Sequence, residues 1–136
     1  MTTATSDRDT KRRGNQDFEF PVKAASKILA GTVVVIDTAT NLAVKGSTAA
    51  NLKTVGIAQD VADNTSGANG DIRVKVKRGL FCLANSVAGD LIVLGDVGSP
   101  AYLVDDQTVA KTSGGATRSV AGTIRDVNSA GVWVEI

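Results

Sequence analysis

Apolar and polar residues alternate along this chain in short runs, and nowhere do they keep the three-to-four spacing of an amphipathic helix beyond about two turns. The pattern predicts short β-strands separated by Gly, Asn, Asp and Ser, over Thr32 to Asp37, Leu42 to Lys45, Val55 to Asp60, Ile72 to Arg78, Leu80 to Leu83, Leu91 to Leu94, Ala101 to Val104, Val120 to Val127 and Gly131 to Ile136. The clearest is Ile72-Arg73-Val74-Lys75-Val76-Lys77, whose strict alternation sends three branched apolar side chains to one face and three cations to the other. Upstream, Phe18-Glu19-Phe20-Pro21-Val22 alternates in the same way, so an extended backbone points both phenylalanines to one side.

Residues Met1 to Asp17 contain no Val, Ile, Leu or Trp and carry Arg8, Lys11, Arg12 and Arg13 against Asp7, Asp9 and Asp17. Such a segment buries too little apolar surface to offset its ordering entropy, so we expect a flexible N-terminal arm over 1–17 and a single β-rich unit over 18–136.

Within that unit the chain is self-similar. Ala30-Gly31-Thr32-Val33-Val34-Val35-Ile36 aligns with Ala88-Gly89-Asp90-Leu91-Ile92-Val93-Leu94, and Val55-Gly56-Ile57-Ala58-Gln59-Asp60-Val61 aligns with Ala121-Gly122-Thr123-Ile124-Arg125-Asp126-Val127. Each half ends on an alternating strand, Ile72 to Val76 in one and Val132 to Ile136 in the other. Two pseudo-repeats, about 22–79 and 80–136, are too few for a solenoid, which leaves an all-β compact barrel or sandwich in which each half covers the other's apolar face. Gly31 and Gly89 are expected to turn the chain with positive φ, and Gly56 and Gly122 to mark a bulge or a close backbone approach.

Composition sharpens this picture mainly by exclusion. The chain has 136 residues, long enough for a real core, with 18 Val but only 4% aromatic residues, so that core must be built from branched aliphatic side chains. There is no His, and Cys82 is the only cysteine, which removes Ser-His-Asp triads, Cys-His dyads, thiolate zinc cages and intrachain disulfides. No cofactor is expected. A net charge of +1 gives no global attraction to nucleic acid or anionic membranes. No apolar run approaches the roughly 20 residues of a membrane span, and the polar N-terminus predicts a cytoplasm-like compartment of synthesis.

The candidate chemistry is sparse. Asp60, Asp63 and Asp71 flank the loop Asp63-Asn64-Thr65-Ser66-Gly67-Ala68-Asn69-Gly70-Asp71, which lacks the ligand spacing and terminal Glu of a calcium loop and reads as a solvated hairpin. Asp105 and Asp106 read as a turn before Thr108-Val109. Neither Gly95-Asp96-Val97-Gly98 nor Ser113-Gly114-Gly115 matches a phosphate-binding loop, there is no nucleophile elbow, and no catalytic residue is expected. Cys82, set in Leu80-Phe81-Cys82-Leu83, is expected to be a small core residue. Arg73, Lys75, Lys77 and Arg78 form a basic stripe that could follow a phosphate backbone, but apart from Phe81 the aromatic stacking partners of a single-strand binder are missing.

One resemblance gives these surfaces a use. Phe18-Glu19-Phe20-Pro21-Val22, the Ala30-Gly31 strand opening, Lys53-Thr54-Val55-Gly56-Ile57-Ala58, Arg78-Gly79-Leu80-Phe81, Ala88-Gly89-Asp90, Ala101-Tyr102-Leu103-Val104-Asp105-Asp106-Gln107-Thr108-Val109-Ala110, Ala121-Gly122-Thr123-Ile124 and Gly131-Val132-Trp133-Val134, in that order and spacing, resemble the capsid decoration or cement proteins of tailed bacteriophages, most closely small head proteins of Mu-like transposable phages. The resemblance extends over about 18–136 and includes the charged entry Arg8 to Arg13. It implies a structural protein on the capsid exterior of the virion, a homotrimer that clamps major capsid subunits, with no membrane partner. The arm and its root would then supply the capsid ligand: Arg8, Lys11, Arg12 and Arg13 toward acidic capsid residues, Phe18 and Phe20 as apolar anchors. The alternative is a nucleic-acid- or carbohydrate-binding β-module that uses Arg73, Lys75, Lys77 and Arg78; a glycan-adhesive head protein is a third class, for which no loop stands out.

Overall fold

The computed structural model describes residues 2–136 and is nearly all β, with strand over 44% of the chain. In chain order the strands are β1 (Asp17–Pro21), β2 (Ser26–Ile28), β3 (Val33–Asp37), β4 (Leu42–Lys45), β5 (Leu52–Ala58), β6 (Ala62–Asn64), β7 (Arg73–Lys77), β8 (Leu80–Leu83), β9 (Pro100–Leu103), β10 (Val109–Ala110), β11 (Val120–Asn128) and β12 (Gly131–Glu135). They form two five-stranded antiparallel sheets, ordered β1-β7-β5-β3-β4 and β10-β9-β11-β12-β8, and a small ribbon, β2-β6.

Read from the opposite edge, the second sheet runs β8-β12-β11-β9-β10, which repeats the first strand for strand. Each sheet also curls until its edges touch at one parallel bridge, Val22 with Ala43 in the first and Ala84 with Thr108 in the second. Neither closes into a barrel, and the architecture is a sandwich. The alignment of Val55 to Val61 with Ala121 to Val127 joins the two central strands, β5 and β11, and that of Ile72 to Val76 with Val132 to Ile136 joins β7 and β12.

The third alignment does not hold. Leu91 to Leu94 is not a strand: the segment runs through two short 3-10 turns at Ala88–Asp90 and Leu94–Asp96, and the place of β3 in the second sheet is taken by β9. The cause is local. The Asn85 side chain donates to the Ile92 carbonyl at 2.8 Å and accepts from its N–H at 3.0 Å, so a side chain stands where a neighbouring strand would pair. In the same turn the positive φ falls on Ala88, at +54°, and not on Gly89.

Gly56 and Gly122 occupy equivalent positions for one steric reason. A Cβ on Gly56 would lie 2.7 Å from the Lys77 carbonyl oxygen, and one on Gly122 would collide with the Glu135 carbonyl oxygen. In each sheet the central strand passes its neighbour so closely at the bulge that only a hydrogen fits.

Two apolar clusters hold the layers. Between the sheets, Val33, Val35, Leu52 and Ile57 of the first pack against Leu83, Ala101, Leu103, Val109, Ile124, Val132 and Val134 of the second, with Ile92 among them. On the far face of the first sheet, Val22, Val34, Ala43, Val74 and Val76 are covered by Ile28 and Ala62 of the ribbon, with Phe18 and Phe20 at the margin. Full burial of each such Val or Ile contributes roughly 1.5–3 kcal/mol, which makes these Val-rich layers the main source of stability. The ribbon is fixed by Asn64, 2% exposed, whose amide donates to the carbonyls of Val22, Lys23 and Ala68.

Candidate functional site

Residues 2–16 carry no helix or strand and are exposed, and Met1 lies outside the described residues. The end of the segment expected to be flexible is tied to the sheet: Asp17 pairs with Lys77 at the start of β1, and Gln16 accepts a 2.8 Å bond from the Arg78 N–H. Arg8, Lys11 and Arg12 are exposed, and none takes part in an ion pair among the described residues. Arg13 is the exception in the cationic cluster, since its guanidinium lies 5.0 Å above the Phe18 ring, a cation–π contact that ties the arm's last cation to its root.

Phe18 and Phe20 do share a face. Their rings stack with centroids 6.1 Å apart and 14° between planes, opposite Val76 and Val74 of β7. They are half-buried, so they form a wall of the sheet and not free anchors on a tether.

The basic strand is less basic than its residues suggest. β1 lays Asp17 and Glu19 beside it, with Lys77 to Asp17 at 3.9 Å, Arg73 to Glu19 at 3.8 Å, and Lys75 in register with Glu19. Three cations therefore face two carboxylates on an exposed surface, where such pairs are weak but cancel most of the local field. Arg78 lies beyond this pairing, at the β7–β8 junction.

The aspartate-rich loop spends its polar groups on itself. The Asp63 carboxylate accepts from the Thr65 hydroxyl and N–H, Asp71 from the Ala68 N–H, and Asn69 from the Ala24 N–H. No group of three or more metal-ligating side chains occurs among the described residues. Asp105 accepts from the Gln107 and Thr108 N–H groups, the geometry of a turn.

Cys82 is exposed and not in the core. β8 sends Phe81 and Leu83 inward, so the alternation forces Leu80 and Cys82 out, with Cys82 in register with Trp133.

Two surface features were not foreseen from the sequence. The first is the segment that fails to become a strand: Val87 is 79% exposed and Leu94 65%, and Leu91, Val93 and Val97 are exposed with them. Its charges are turned inward. Asp90 accepts from the Thr112 hydroxyl and pairs with Arg118 at 3.3 Å, while Asp96 accepts from the Val93 N–H and pairs with Lys111 at 3.3 Å. Both carboxyls have their pKa held below the ordinary aspartate value, Asp90 first by the Thr112 hydroxyl and then by Arg118, Asp96 first by the Val93 N–H and then by Lys111, in each case against the partial burial that opposes ionisation. The outward surface is left almost purely apolar. The second feature is an open groove of about 650 Å³ where the two sheets meet, floored by Leu52, Val55 and Ala121 and walled by Phe18, Phe20, Val120 and Ile136.

No family model, curated protein or solved structure matches the chain. No helix among the described residues is long and apolar enough to cross a membrane.

Proposed function

We propose that this chain is a structural protein of tailed-bacteriophage heads, a homotrimer that binds the outside of the capsid and stabilises contacts between major capsid subunits. The observation that carries this reading is where the unspent chemistry lies. Polar clusters are consumed by turns and hairpins, whereas exposed apolar side chains over Val87 to Val97 and an exposed cationic arm remain available to other proteins. The sequence resemblance to decoration proteins supports the same reading.

In this account the two surfaces have separate tasks. The apolar segment packs against copies of the chain, where a neutral patch meets its own kind without buried unpaired charge. The arm, through Arg8, Lys11 and Arg12, pairs with acidic residues on the capsid exterior, and repetition of the site over the shell multiplies modest contacts into stable attachment. Partial cancellation of the stripe Arg73, Lys75 and Lys77 by Asp17 and Glu19 favours capsid attachment over binding to nucleic acid.

The test is co-sedimentation of purified full-length protein with heads assembled without it. Saturable binding to the heads, and no salt-sensitive retention on DNA, is expected. Absence from the head pellet, or DNA binding that weakens steeply with salt, would overturn the proposal.

A further inference from the structure

We infer that the groove between the two sheets receives an extended, acid-flanked apolar segment of the major capsid protein, an inference that rests on the capsid-binding reading above. The groove lies where the neighbouring strands end. β7 ends at Lys77, opposite Ile57, and β12 at Glu135, opposite Thr123, so β5 before Ile57 and β11 before Thr123 have no partner on that side. The two unpaired segments lean on each other instead. The Thr54 hydroxyl donates to the Val120 carbonyl at 2.8 Å, and the Ser119 hydroxyl accepts from the Leu52 N–H at 3.0 Å while donating to the Ala49 carbonyl at 2.6 Å.

Such a junction exposes apolar side chains that a continuous sheet would cover. Val120 is 47% exposed, and Phe18, Phe20, Val55 and Ile136 are half-buried around it. The charge at the rim selects the occupant. Glu135 is taken up by Arg125 at 3.1 Å and Arg118 by Asp90, but Lys53 and Arg78, both exposed, enter no ion pair among the described residues. A ligand with apolar side chains between carboxylates would satisfy floor and rim together. The site is open, and the buried Ser119 hydroxyl on its lining is already committed to the Leu52 N–H and the Ala49 carbonyl, which leaves apolar contact and rim charge to hold an extended peptide.

The test uses the full chain, heads assembled without it, and two charge-matched double variants. Lys53→Glu with Arg78→Glu should weaken head binding at least tenfold, whereas Lys27→Glu with Lys45→Glu, the same change in net charge on exposed positions elsewhere, should bind as the parent does. A photo-crosslinking residue at Val120 should capture the major capsid subunit. If the parent binds heads but the Lys53 and Arg78 variant binds within twofold of it, or the crosslink joins Val120 to the chain's own arm or to a second copy, the groove assignment fails and the decoration reading stands. If the parent does not bind heads, both fail.

Discussion

Replacing Gly56 or Gly122 with alanine tests the duplicated fold at its tightest point. At Gly56 the new Cβ would sit 2.7 Å from the Lys77 carbonyl oxygen, about 0.7 Å short of the 3.4 Å at which ordinary contact begins, and the φ of +151° is one that L side chains rarely adopt. Both the oxygen and the Cβ belong to paired backbone, so relief requires β5 and β7 to part. Overpacking of this kind costs about 1–3 kcal/mol, and a Gly-only backbone conformation about as much again, giving about 3–5 kcal/mol at Gly56. Gly122 has an unstrained φ but a closer carbonyl, that of Glu135, so steric overlap alone sets its cost at about 2–3 kcal/mol. With an unfolding entropy of about 2.1 cal/mol/K per residue, a 136-residue chain loses roughly 10 °C in Tm for each 3 kcal/mol. Gly89→Ala is the internal control, because nothing lies within 4 Å of its Cβ position and its φ is ordinary. That variant should change stability by less than about 1 kcal/mol, and in the stabilising direction. Calorimetry on the three variants decides the matter. Gly56→Ala and Gly122→Ala melting within about 2 °C of Gly89→Ala would refute the steric account, and with it the structural equivalence of β5 and β11.

The remaining predictions concern the surfaces. Because Asp90 and Asp96 are held below the ordinary aspartate value of 3.8, each contributes stability that is fully present above that value and is lost as pH falls through the lower folded value. Acid melts should therefore show a loss of stability below about pH 4 that is smaller in Asp90→Asn with Asp96→Asn; an unchanged acid limb would contradict the inward pairing. Cys82 should be alkylated by iodoacetamide in the native protein at the rate of an accessible thiol, whereas protection until unfolding would place it back in the core. Val87→Ser with Leu94→Ser should shift the protein from trimer to monomer in sedimentation velocity while the monomer keeps the β-sheet circular dichroism of the parent, and a trimer that survives would remove the apolar segment from the subunit interface.

What could be read from the chain follows the range of the forces involved. β7 was legible because alternation over six residues is a local signal, and its buried and exposed positions follow that alternation. β2 and β6, three residues each, carry no such pattern; they pair because Asn64 reaches three carbonyls that only the folded chain brings together. Leu91 to Leu94 has the composition of a strand, and the deciding residue, Asn85, lies outside the run it diverts. Cys82 was misplaced by its apolar neighbours, since register alone decides which of two alternating faces points inward. The repeated glycines were visible as a pair, but the groove beside them depends on contacts between residues 49–54 and 119–120, a separation no local pattern reveals. The offsetting of the basic stripe was hidden for the same reason, because Asp17 and Glu19 reach it only through the pairing of β1 with β7.

The central claim is that this chain strengthens a capsid from outside, and the most direct measurement is the thermal rupture of DNA-filled heads with and without it. Heads assembled without the chain and then saturated with purified protein should release their DNA at a higher temperature than bare heads. A variant with Arg8, Lys11 and Arg12 changed to serine should restore the lower temperature. Equal release temperatures for bare and saturated heads would contradict the account.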